Sequence, residues 1–146
     1  MLSDRTESEA WLEVAESNFS ALSVFAELER WDDGCYYACM SVEKFGKYLL
    51  CAKKEKVDSM KQMGHDLQEI WKQVGELYDV SSKLIDLQKG MSHMESYSNE
   101  KGPFSYRYPN GTQIPSDFLD EYQFQIHHRV AKQARDLAST LSERDI

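Results

Sequence analysis

The chain is poor in residues that interrupt helices. Its 146 residues include three prolines and seven glycines, and all of the prolines and five of the glycines fall between positions 64 and 115. Long helices are therefore expected on either side of that stretch, in place of many short strands. Long apolar runs are also missing. Nothing approaches the ~20 consecutive apolar residues that cross a bilayer, and the first ten residues, MLSDRTESEA, are polar and charged, so neither a signal peptide nor a membrane span is expected. Cysteine is scarce and odd in number: Cys35, Cys39 and Cys51 fit no disulfide or zinc spacing. They read as reduced, buried thiols of a cytoplasmic protein. Basic charge is in deficit, with 17 Lys and Arg against 25 Asp and Glu, a net charge of −8. That balance argues against general binding to DNA or RNA.

What remains is a composition, 41% hydrophobic and 29% charged, that suits one domain over residues 1–146 with its core at about 6–143. A chain of this size buries enough surface to fold without metal or disulfide. Thr6-x-x-Glu9 reads as a capping box opening a first helix, whose apolar residues Trp11, Ala15, Leu22, Phe25 and Ala26 share a face. Asn18 in that helix is expected to be solvated or locally bonded. Arg30-Trp31-Asp32-Asp33 reads as a tight break, with Asp32 or Asp33 capping a second helix from about Gly34 to Lys54. Gly46 inside it costs up to about 1 kcal/mol against Ala, a cost explained by close approach of a neighbouring helix. Gly64-His65-Asp66 opens a short third helix carrying Leu67, Ile70, Trp71 and Val74. A fourth begins at Ser81 and carries Leu84, Ile85, Leu87 and Met91. Residues 98–115 break the pattern. Ser116 then caps a last helix with Leu119, Tyr122, Ile126, Val130, Ala134, Leu137 and Leu141 on one face. The sum is an all-α, antiparallel up-and-down bundle of three long helices with shorter ones between them.

Four segments, in order, carry a family likeness: Ala15-Glu16-Ser17-Asn18-Phe19; the run from Tyr37 to Leu49, with Glu43-Lys44 and Lys47; Gly64-His65-Asp66-Leu67; and Tyr106-Arg107-Tyr108-Pro109-Asn110. Together they resemble the HEPN family of helical domains over about residues 10 to 140. The resemblance implies a homodimer, often placed beside a small nucleotidyltransferase. It also implies, for many members, a ribonuclease with an Arg and a His four to six residues apart near the start of the last helix. Here no Arg is followed by a His at that spacing; Arg129 comes after His127 and His128. That chemistry needs an Arg to hold phosphate and a His to move protons, so no catalytic residue is assigned.

Lys44, Lys47, His65, Arg107 and Tyr108 are the candidate ligand residues, for a nucleotide or a nucleotidyltransferase partner. Lys44 and Lys47 are three apart and share a helix surface, where ordinary solvated charge is the plain expectation for each. The lysines from Lys44 to Lys61 also suit a positive helix C-terminus opposing the helix dipole. His65 would cap a helix or face a phosphate, and Arg107 would staple its aromatic loop or grip an anion. No metal site is expected, because adjacent His127 and His128 point about 100° apart. No cofactor is implied either. Glu13 and Glu16 have the spacing of a magnesium-binding pair, but no second helix supplies their match. The competing readings are an RNA-cleaving, toxin-like enzyme with an atypical active site and a purely structural dimeric scaffold.

Overall fold

The computed structural model describes residues 5–53, 64, 66–96 and 111–144, and every extended regular element among them is helical. Helix α1 spans Glu7–Glu27, α2 Trp31–Ala52, α3 Leu67–Tyr78, α4 Ile85–Glu95 and α5 Glu121–Arg144; short 3-10 turns cover Ser81–Leu84 and Pro115–Asp117. The protein is an all-α helical bundle.

Thr6 caps α1 as expected: its hydroxyl accepts from the Glu9 amide at 3.2 Å, and it is this hydroxyl, in place of the backbone amide of a capping box, that donates to the Glu9 carboxylate at 3.1 Å. The break after α1 falls earlier than the sequence suggested. Glu29 takes a left-handed conformation, φ 55°, and the Arg30 amide reaches back to the Phe25 carbonyl at 2.8 Å. This reversal lets α2 start at Trp31, so Asp32 and Asp33 lie inside its first turn instead of capping it. There they sit at the positive end of the helix dipole, and Arg30 pairs with Asp33.

Helix α2 is the axis of the molecule. Every residue from Gly34 to Cys51 is buried or half-buried, with α1, α3 and α5 packed around it. Small residues make that crowding feasible. A Cβ on Gly46 would lie 2.5 Å from Ile70 Cγ2 and 3.0 Å from Trp71 Nε1, which is the close approach expected of that glycine. Cys35, Cys39 and Cys51 are free and buried, and burial raises the Cys35 and Cys51 thiols above their ordinary range.

Asp66 caps α3 by accepting from the Glu69 amide at 3.1 Å. Two long-range bonds then fix α3 on α2: Trp71 Nε1 donates to the Val42 carbonyl at 3.0 Å, and the Tyr78 hydroxyl to the Leu49 carbonyl at 2.7 Å. Both bonds join residues 29 apart, so α3 runs beside α2 in the same chain direction. Helices α4 and α5 run in opposite directions: Gly90 of α4 meets Val130 of α5, while His93 meets Gln123.

Three expectations about burial fail, those for Tyr122, Ile85 and Asn18. Pro115 starts a 3-10 turn in which Asp117 accepts from the Ile114 amide at 2.9 Å, and Asp120, not Ser116, caps α5 through the Gln123 amide at 3.0 Å. The true start rotates the first turns, so Tyr122 is exposed while Phe124 and His127 turn into the core. Ile85, just after the junction of the 3-10 turn and α4, is also exposed. Asn18 is half-buried, and its Oδ1 lies out of reach of solvent with no hydrogen bond among the described residues.

Candidate functional site

Lys44 and Lys47 do not lie in solvent. Their side chains are 14% and 8% exposed, and both point at one acceptor. The buried Glu43 carboxylate receives the Lys44 ammonium at 2.5 Å and the Lys47 ammonium at 3.1 Å through the same oxygen, Oε2. Helix geometry explains the pairing, since Glu43 and Lys47 are one turn apart and Lys44 is adjacent. Trp11 of α1 lies against both amines, with Nζ of Lys47 5.4 Å and Nζ of Lys44 5.9 Å from its ring centroid. The negative face of an indole ring favours cations at such distances. The expectation of solvated lysines fails because α1 packs over this face of α2.

His65, Arg107 and Tyr108 lie outside the described residues, as do Lys54, Lys56 and Lys61. Lys53 sits at the end of α2, its amine 4.6 Å from the centre of the Tyr78 ring.

The adjacent histidines of α5 have different surroundings. His127 is fully buried, and its Nδ1 bonds to the Gln123 carbonyl at 2.7 Å. A carbonyl only accepts, so Nδ1 carries the proton. Burial pulls His127 down to about 4, the backbone bond opposes that shift, and neighbouring His93 adds to it. His127 is therefore neutral near pH 7. His128 packs between Phe19 and Phe124, 5.7 and 5.6 Å between ring centres, and is lowered by burial and then by Lys132. It also borders an open cleft of about 420 Å³ with Ala26, Phe124, Gln125, Arg129 and Lys132.

A model of the HEPN domain matches residues 8–143, from the first turn of α1 to the last of α5. The chain belongs to the HEPN domain family. No curated protein and no solved structure matches it. In this HEPN domain the two histidines of the last helix are a buried neutral ring and a half-buried one, and no Arg precedes either at the four-to-six spacing. Among the described residues no cluster of three or more His, Cys, Asp or Glu is placed to hold a metal ion. Glu13 pairs with Arg5 and Glu16 with Arg135, so these carboxylates face cationic side chains.

Sequence reasoning missed Glu43 and Trp11 as members of the lysine cluster. The signal for Glu43 was its place four residues before Lys47. The placement of Trp11 depends on the register of α1 on α2, which no local spacing states.

Proposed function

We propose that this HEPN domain is a non-catalytic binding module, working as a homodimer with a nucleotidyltransferase partner, whose ligand is an anion of the nucleotide phosphate class held at Lys44 and Lys47. One observation carries the reading. Two ammonium groups share a single carboxylate oxygen under partial cover, beside the Trp11 ring. Among the described residues the cluster thus holds two positive charges and one negative. Poorly solvated charge is costly unless matched, and an anion at Lys44, the more open of the two, completes the match.

A thermal-shift series with mono-, di- and triphosphate nucleotides tests this. A ligand at a hundred times its Kd stabilises the native state by about 2.7 kcal/mol, and Lys44→Met should abolish the shift. No shift with any nucleotide at millimolar concentration removes the reading. Light scattering at micromolar concentration tests the dimer, and a monomer refutes it.

One observation favours the enzymatic alternative: His128 and Arg129 border the same cleft. Incubation with single-stranded RNA decides the matter. The proposed module leaves RNA intact, whereas cleavage that survives repurification and is lost in His128→Ala establishes an atypical ribonuclease.

A further inference from the structure

Helix α1 carries two apolar seams, and the bundle uses one of them. The inner seam, Trp11, Ala15, Asn18, Leu22 and Phe25, advances by alternating steps of four and three residues and faces the bundle. Shifted back by one residue is a second series with the same steps: Ala10, Val14, Ser17, Ala21, Val24 and Leu28. Alternating three- and four-residue spacing keeps one stripe of a helix against a partner helix. This outer stripe runs for about 27 Å; Ala10 and Ala21 are half-buried, and its large residues are open among the described residues, with Val14, Val24 and Leu28 44%, 52% and 64% exposed. Among the described residues the other large exposed apolar side chains, Ile85, Ile114 and Tyr122, are scattered over other elements.

The stripe is built for close contact. Ala10, Ser17 and Ala21 are small, and the adjacent pair Ser17 and Ala21 opens the middle of the stripe to a second backbone. Its serine neighbours cost little to cover. Ser20 donates its hydroxyl to the Ser17 carbonyl at 3.0 Å, and Ser23 to the Ser20 carbonyl at 3.2 Å. Neither hydroxyl proton depends on water.

The rim identifies the occupant. Glu7–Glu27 contains five glutamates and no Lys or Arg. Glu13, Ser20 and Glu27, one heptad apart and all exposed, flank the stripe on the side away from α2. Glu13 meets Arg5, but that pair is about half exposed on both sides and is readily exchanged. Two copies of α1 pressed together would bring acidic rim to acidic rim, which opposes self-pairing. The basic residues Arg129 and Lys132 of α5 share their exposed face with Gln125, Gln133 and Asp136, so a second copy's α5 lacks an apolar stripe to offer. The geometry points to a helix of another protein as the occupant: a basic amphipathic helix, apolar at three-and-four spacing and flanked by Lys or Arg facing Glu13 and Glu27. This docking surface does not depend on the anion proposed at Lys44.

The test uses the full chain and a labelled synthetic helix matched to the 21 residues of α1, with leucine at the seam and lysine at the flanks. Two controls accompany it: the same peptide with glutamate for lysine, and a scramble of the lysine peptide that destroys the stripe. Fluorescence anisotropy should show binding of the lysine peptide alone, weakened by salt. The double variant Val14→Asp, Val24→Asp should weaken it by at least about tenfold, because covering an unmatched carboxylate costs more than the 1.4 kcal/mol that a factor of ten represents. Its melting temperature should stay near that of the parent, as both valines are already exposed. Lys44→Met should leave peptide binding intact. Equal binding of the scramble, or an affinity indifferent to the double variant, overturns the proposal. A parent dimer that the double variant splits into monomers also overturns it, by making a second copy the occupant.

Discussion

The α1–α2 hairpin and the beginning of α5 both take ionisable side chains out of water, and they do so by opposite means. In the hairpin the charges are kept: Glu43 is buried with two lysines on one oxygen, and an indole ring lies against the amines. In α5 the charge is given up: His127 is enclosed with one nitrogen on a backbone carbonyl, and burial holds it neutral. Matching a charge requires partners that stay in place, whereas shedding a proton requires only that the pH stay above the group's lowered pKa. The first arrangement is therefore vulnerable to mutation and the second to acid.

The sharpest way to break the comparison is Glu43→Ala. It strands two poorly solvated ammonium groups and should cost about 3–5 kcal/mol in denaturant unfolding. Adding Lys47→Met should recover part of that loss, because it removes one of the two stranded charges while keeping a side chain of similar length. If the double variant is no more stable than Glu43→Ala, the lysines were not the reason for the penalty.

Next in size is the pH dependence of His127. Unfolded, the imidazole takes up a proton near its ordinary 6.5; folded, it resists until about 4. The unfolded chain binds more protons in that window, so stability is complete above about pH 6.5 and declines as the pH falls toward 4. The decline attributable to this group is about 3 kcal/mol. His128, also lowered, acts in the same sense, and Glu95, raised by burial, acts against it. Urea unfolding at pH 7 and pH 4.5 should show a smaller pH effect in His127→Gln than in the parent; equal effects would place the proton uptake elsewhere.

The smallest effect belongs to an exposed control. Arg135 pairs with Glu16 at 2.9 Å while both side chains are more than two-fifths exposed. Arg135→Ala should lower stability by no more than about 1 kcal/mol, despite the Phe19 ring beneath the guanidinium. A loss as large as that of Glu43→Ala would show that enclosure is not what sets the hairpin apart.

Much of the fold was legible in the sequence because its signals are local. The Thr6 cap bonds as its spacing suggests, α3 opens directly after Asp66 as expected, and Gly46 marks the approach of α3. The start of α5 misled because Ser116, Asp117 and Asp120 are all plausible caps within five residues, and only packing selects Asp120. With the start displaced, Tyr122 replaced Phe124 on the inferred inner face. The lysines misled for another reason. Periodicity treats lysine as a marker of solvent, and only the register of Trp11 over α2 reveals otherwise. Of the inferred ligand residues, Lys44 and Lys47 come together, while His65, Arg107 and Tyr108 lie outside the described residues.

The two tethers between α3 and α2 also bear on how this chain tolerates insertions. Trp71 and Tyr78 are seven residues apart, as are their acceptors Val42 and Leu49. One extra residue between Trp71 and Tyr78 turns the tyrosine by about 100° and carries its hydroxyl away from Leu49. A seven-residue insertion nearly restores the rotation but moves Tyr78 by about 10 Å, beyond reach of that carbonyl. Neither tether fixes the chain length ahead of Asp66. The tethers therefore set no number of residues between α2 and α3, while the distance from Trp71 to Tyr78 is held by the spacing of two carbonyls on another helix.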